Sequence, residues 1–339
     1  MRLGVLDQSP IASGGTAAQA LDESVRLAQL AESLGYERYW VAEHHGSKSF
    51  AGSSPEILIA RLAAATRTMR IGSGGVMLPH YSPYKVAENF RVLENLFPGR
   101  IDLGIGRAPG SDLVTAQALL YGSTIGIEYF PNKLSDLMAF VAGEMPTTKG
   151  LEAVIATPQA ATVPEMWLLG SSEQSAFFAA HFGLPYSFAH FIAPDVSQHC
   201  MQTYFDNYQP SARYPEPRGN LGVFAICAET KERAADLAAC RDLWRLRFER
   251  GDPGPCPSVE EARTHVYTQE EVARLQGRRK HLIAGTKAMV KDRLQTLAGA
   301  HQVSEMVIVT ICHEFADRAN SYRLLADAFN MTQDPGYTT

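Results

Sequence analysis

Cysteine is scarce in this chain and poorly arranged for stapling. Its five thiols, Cys200, Cys227, Cys240, Cys256 and Cys312, are odd in number and show no CxxC spacing. Neither a disulfide framework nor a zinc site is indicated, and reduced thiols in a cytoplasm are the natural reading. Positive charge is also thin: 31 Lys and Arg stand against 36 Asp and Glu, for a net charge of -5. The lone basic triplet, Arg278-Arg279-Lys280, lies in a polar segment and reads as a solvated turn. With no basic stripe, a general nucleic-acid or acidic-membrane binder is disfavoured. No apolar run approaches the roughly 18 residues of a membrane helix, and strand-like sequence begins at Arg2 without a charged-then-apolar leader. A soluble cytoplasmic protein is the expectation. Walker, G-x-S-x-G and HExxH signatures are missing too. Gly104-Ile105-Gly106-Arg107-Ala108-Pro109-Gly110 has the spacing G-x-G-x-x-x-G with a proline inside, so it is no dinucleotide fingerprint.

What the chain does contain is a regular alternation of strand-like and helix-like segments. Strands are predicted over 2–7, 38–42, 70–74, 100–106, 166–170, 186–189, 221–227 and 305–310. Helices follow each. Thr16 and Gln19 form a capping box ahead of an apolar face at Leu21, Val25, Ala28, Ala31 and Leu34, with Gly35 as terminator. Ser54-Pro55 and Ser82-Pro83 each read as an N-cap followed by proline at the first helical position. Alternation over this length means a parallel sheet, and eight units favour a (β/α)8 TIM barrel over an open doubly wound sheet. The expected organisation is one barrel domain over 1–330, interrupted at about 111–165 and 250–285, then a loose tail over 331–339. The second interruption holds Gly-Asp-Pro-Gly-Pro-Cys-Pro at 251–257, too rich in Pro and Gly for regular structure, and a mobile lid would belong there.

In a barrel the residues following each strand converge on one rim. Here they are Asp7; Glu43, His44 and His45; Gly74 and Gly75; Arg107; Ser171 and Ser172; His190; Cys227; and Cys312 with His313. Arg107 offers a fork of donors suited to phosphate. Ser171-Ser172 opens a helix whose free N–H groups favour an anion, with Ser175 one turn in; simple N-capping would explain Ser172 equally well. Gly72-Ser73-Gly74-Gly75 could admit a flat ring against the backbone, or mark a bulge. Adjacent His44 and His45 point in opposite directions on extended chain, which disfavours a metal pair. One histidine acting as acid or base, and a hydrogen-bonded structural pair, remain the two readings.

At these residues the chain resembles the bacterial-luciferase-like flavin monooxygenases, a barrel family with F420-dependent relatives. The resemblance rests on Glu43-His44-His45, Val76-Met77-Leu78-Pro79, Pro98-Gly99-Arg100 leading to Leu103-Gly104-Ile105-Gly106-Arg107, and Trp167-Leu168-Leu169-Gly170-Ser171-Ser172 leading to Gly183-Leu184-Pro185. His281 to Thr286 resembles the family's Gly-Thr-Pro helix entry, with Lys287 in place of the proline. The resemblance implies His44 as the catalytic histidine and Arg107, Ser172 and Ser175 at the flavin phosphate, with Ser171 leading into that helix start as a further cofactor-binding candidate. It also implies a cis peptide at Gly74–Gly75 against the flavin ring, the mobile loop at 250–285, and His45 and Glu88 near a subunit interface. Gly106 stands where luciferase carries a reactive cysteine, and light emission is not implied.

The implied reaction is monooxygenation. Reduced FMN from a separate reductase would react with O2 at the flavin C4a position, and the peroxide would oxygenate a small organic substrate. A homodimer is the expected assembly. The alternatives are an F420-dependent hydride-transfer enzyme on the same barrel, a non-catalytic flavin-binding protein, and a metal-dependent hydrolase using Glu43 and His44.

Overall fold

β-Branched and aromatic runs bounded by glycine and proline become strands, and the segments between them become helices. The computed structural model describes residues 1–108, 110–123 and 125–331. In chain order the elements begin β1 (Arg2–Asp7), α1 (Ala17–Ser33), β2 (Arg38–Val41), α2 (Pro55–Ala65), β3 (Arg70–Met77), α3 (Pro83–Leu96) and β4 (Ile101–Gly106). There follow α4 (Leu113–Leu120), α5 (Phe130–Ala142), β5 (Glu165–Gly170), α6 (Glu173–His181), β6 (Tyr186–Ala189) and α7 (Ser197–Asp206). The chain continues through β7 (Gly219–Cys227), α8 (Lys231–Glu249), α9 (Val259–Thr264), α10 (Gln269–Arg279), β8 (Ile283–Gly285), α11 (Lys287–Ala300), β9 (Glu305–Val309) and α12 (Phe315–Ala328). The expected tail falls, from residue 332 on, outside the described residues, as does Pro109.

Two compact units emerge. One gathers Met1–Glu37, Ser47–Ala51 and the chain from Leu221 onward; the other gathers Arg38–Gly46 and Gly52–Asn220. In the first unit β9 lies between β1 and β7, with Leu3 opposite Met306 and Val223 opposite Ile308, and β8 adds to β7 at Ala225 and Ile283, all parallel. The 251–257 segment forms no helix. Its Cys256 instead exchanges backbone hydrogen bonds with Ile11 and Ser13 at 2.7 and 2.8 Å, and Trp244 Nε1 donates to the Gly254 carbonyl at 3.0 Å. Helices α9 and α10 then fill much of the second interruption, each opened by a full capping box, Ser258 with Glu261 and Thr268 with Glu271.

The second unit carries parallel β2, β3, β4, β5 and β6 in that order, with Trp40 opposite Gly72, Ile71 opposite Ile101, Leu103 opposite Met166 and Leu168 opposite Tyr186. The buried rings of Trp40 and Trp167 meet edge to face at 5.4 Å. At the N-terminal ends of these strands lies a buried ion cluster. Asp102 accepts from Arg38, from Arg70 Nε at 2.7 Å and from Trp40 Nε1 at 2.8 Å. Burial opposes ionisation of the neighbouring Glu165, but Arg38, Arg218 and Arg70 outweigh it and hold its carboxyl below the ordinary range. Ser54 and Ser82 occupy the N-cap positions before Pro55 and Pro83 as expected, yet neither side chain caps; proline at the first turn has already removed one of the donors needing a partner.

Candidate active site

Every catalytic or cofactor-binding residue proposed from sequence lies in the second unit, beyond the ends of β2, β4 and β5, except Gly74 and Gly75, which lie inside β3 because that strand runs on to Met77 instead of ending at Gly74 as expected. After β2 the chain stays extended, so side chains alternate. Glu43 and His45 therefore project together, and His44 projects the other way. Glu43 is 1% exposed, and such a carboxylate must collect donors. Oε1 meets His45 Nε2 at 2.6 Å and accepts from the Tyr81 hydroxyl at 2.7 Å, while Oε2 accepts from the Met77 backbone N–H at 2.9 Å. Tyr81 also approaches His45 Nε2 at 3.3 Å. Burial first, and then the bond to Glu43, keep the Tyr81 phenol protonated far above its usual range. Lys133 in turn donates to the carbonyls of Pro79 and Tyr81 at 2.7 and 3.0 Å, anchoring the turn that presents the phenol.

The backbone of the histidine pair is pinned on both sides. His44 N–H reaches the Gly52 carbonyl at 2.9 Å, and His45 N–H reaches the Gly110 carbonyl at 3.1 Å. Gly110 sits at φ +61°, and a Cβ there would crowd the Glu43 carbonyl and the Met77 side chain. Burial, and after it the neighbouring His45, push the His44 imidazole down to about 4. At neutral pH His44 is therefore an uncharged imidazole, able to take a proton. Among the described residues no group of three or more His, Cys, Asp or Glu could hold a metal ion.

Arg107 leaves the end of β4 and donates through Nη1 to Gln174 Oε1, in the first turn of α6. The guanidinium thus lies beside the helix start that sequence reasoning paired with it. Ser172 is the N-cap. Its hydroxyl accepts from the Ser175 N–H at 3.3 Å, so the capping role is real. Ser175 is buried and directs its hydroxyl to the Ser172 carbonyl at 2.6 Å, with the Tyr186 hydroxyl 2.8 Å away. Among the described residues the N–H groups of Glu173 and Gln174 have no partner. A guanidinium beside uncapped first-turn amides suits a phosphate.

On β3 the peptide joining Gly74 to Gly75 is cis, as the family resemblance implied. Register against β4 slips between Ser73 and Val76, so the bulge reading of this glycine run is also correct. A Cβ on Gly75 would lie 2.7 Å from the Gly104 carbonyl oxygen; close approach of the two strands demands glycine there.

A family model described as luciferase-like monooxygenase matches residues 1–118. A luciferase-like monooxygenase of Escherichia coli (strain K12) is 36% identical over 323 residues, covering 95% of either chain. The chain belongs to the luciferase-like monooxygenase family. The N-acetyl-S-alkylcysteine monooxygenase of Bacillus subtilis (strain 168) is 40% identical over 330 residues, covering 97% of this chain and 98% of that one. Among solved structures, apo-MsnO8 matches with a TM-score of 0.89 at 38% identity, over 98% of this chain and 99% of the other. As a luciferase-like monooxygenase the chain is an oxidoreductase, and its fold is of the (β/α)8 barrel class. The eight expected barrel strands are β1 to β7 and β9; the short β8 is an addition pairing only with the end of β7.

Several expected rim residues serve elsewhere. Asp7 is buried, accepting from Arg318 and from the Ser9 N–H at 2.7 Å. His313 lies between Glu314 and the Ser13 carbonyl. Glu88, which the resemblance placed near a subunit interface, pairs with Lys85 on α3 at 3.1 Å. Burial raises the Cys227 and Cys312 thiols to about 12, so neither is a ready nucleophile. Sequence reasoning missed Tyr81, Gln174 and Tyr186. A polar residue closely following an expected strand end was the available signal for Tyr81, and position two of the α6 turn for Gln174. No helix of the described residues is long and apolar enough to cross a membrane.

Proposed function

We propose that this protein is a two-component monooxygenase: it accepts reduced FMN from a separate reductase, and O2, and oxygenates a small organic substrate. The observation carrying this reading is Arg107 held against Gln174 at the open first turn of α6. Bound reduced FMN supplies the electrons that activate O2. Arg107 and the N–H groups of Glu173 and Gln174 bind its phosphate, Ser172 and Ser175 shape that turn, and Ser171 leads into it. Gly74 and Gly75 leave backbone bare for a flat ring. His44, uncharged at neutral pH, takes up a proton as oxygen is transferred. The 40%-identical relative is named for an S-alkylcysteine derivative; thioethers bearing a carboxylate are therefore the first substrates to screen. The same reading places the protein in the cytoplasm as a homodimer, with FMN rather than F420 as cofactor.

Anaerobic titration with reduced FMN and, separately, with reduced F420, followed by oxygen, tests it. Tighter binding of FMN and oxygen-dependent product formation are expected. Binding of F420 alone would replace it with the hydride-transfer alternative.

A further inference from the structure

We propose that Glu43 and Tyr81 are positioning residues: together with His45 they form a clasp that fixes His44 for proton transfer. The inference deepens the reading of His44 given above and rests on it for the identity of the reaction. Two features of the geometry carry it. First, Glu43 ties its own segment to the turn over 77–81, because its two oxygens take the Met77 N–H at the end of β3, the Tyr81 phenol beyond it, and the imidazole of its own near neighbour His45. Second, the residue between Glu43 and His45 is His44, with no freedom of its own: its N–H is committed to Gly52 and that of the next residue to Gly110. Fixing the side chains on both flanks of one residue in an extended segment fixes the direction in which its own side chain leaves.

Each partner on Glu43 is a neutral or titratable donor, not a guanidinium; Glu43 itself is buried, and His45 and Tyr81 are half-buried. The charged and titratable groups around it are few. Glu56 on α2 has its carboxyl raised, by burial first and Glu43 among the later causes; His80 faces His45 edge to face with ring centres 6.3 Å apart; Lys133 on α5 holds the turn carrying Tyr81. Loss of the Tyr81 hydroxyl leaves Glu43 Oε1 with a single partner, and loss of the carboxylate leaves His45 with no anion. Either change loosens the orientation of His44, and misplacement of a reacting group by about 1 Å costs up to roughly 100-fold in rate.

The test compares Tyr81→Phe, Glu43→Gln and the double variant with wild type, reading turnover and affinity for reduced FMN, and imidazole NMR of the flavin-free protein. The expected result is a roughly 10-fold to 100-fold fall in kcat for each single variant with FMN affinity retained. The double variant should be no worse than Glu43→Gln, since both changes disable one unit. In the NMR arm, wild type should show an exchange-protected downfield N–H from His45 that vanishes in Glu43→Gln and shifts in Tyr81→Phe, with His44 resonances moving in both. Full turnover in both single variants, independent multiplying losses, or His44 resonances unmoved would overturn the clasp. If wild type binds no flavin at all, the function proposed above falls, while the NMR arm still decides the clasp.

Discussion

Two buried carboxylates in the same unit, one near each end of its strands, have opposite company. Asp102, on β4, faces Arg38 and Arg70, whose charges cannot be removed in the physiological range, and a tryptophan N–H. Glu43, just beyond β2, faces an imidazole, a phenol and a backbone amide. The first set is a permanent charge balance that locks three strands together. The second holds no guanidinium and, as proposed above, positions His44. In barrels the C-terminal ends of the strands carry chemistry and the N-terminal ends carry stability, and these two clusters are the electrostatic form of that division.

Substitutions at the two ends should separate stability from activity. Asp102→Ala leaves Arg38 and Arg70 with only the more distant Glu165 carboxylate and is expected to cost about 3–5 kcal/mol, read by urea unfolding. A loss under about 1 kcal/mol would mean water relieves the cluster and the contrast fails. At the other end, His44→Ala should retain flavin affinity yet lose roughly 100-fold or more of turnover; unchanged turnover removes His44 from the chemistry.

Acid should act on the C-terminal end first. An unfolded histidine titrates near 6.5 and His44 in the fold near 4. The unfolded chain therefore binds the extra proton first, and stability contributed by neutral His44 is complete above about 6.5 and drains as pH falls toward 4. Relative to His44→Gln, wild type is expected to lose on the order of 2–3 kcal/mol across that window. Parallel pH curves for the two proteins would show that His44 is solvated. The smallest expected effect is on binding. Arg107→Ala should weaken reduced FMN by roughly 10-fold to 100-fold, the worth of a charge-assisted contact, and barely change riboflavin. Equal losses for both flavins would move the guanidinium away from the phosphate.

Much of this was legible in one sequence. Glycine, proline and capping residues punctuate the chain so regularly that all eight barrel strands could be anticipated, because breakers act locally and buried parallel strands need unbroken apolar runs. The pairing of Arg107 with the α6 start was also readable, since neighbouring strands of a parallel sheet end side by side. Less visible were α9 and α10, although Ser258-x-x-Glu261 and Thr268-x-x-Glu271 announced both starts. The proline-rich stretch ahead of them drew attention away from those caps. Strand β8 had no such signal: three residues are too few for periodicity, and only the free edge at the end of β7 makes Ile283–Gly285 extended.

Local chemistry alone dictated the alternation of elements, the cap positions and the types of residue delivered to the strand ends, because each depends on neighbours a few positions away. Which of those residues would meet was settled by tertiary structure. Glu43 lies 38 positions from Tyr81 and 34 from Met77. Nothing in their flanking sequence encodes those partnerships. They exist because parallel strands in register bring distant chain to one end of the sheet, where a buried carboxylate must find donors from whatever arrives there.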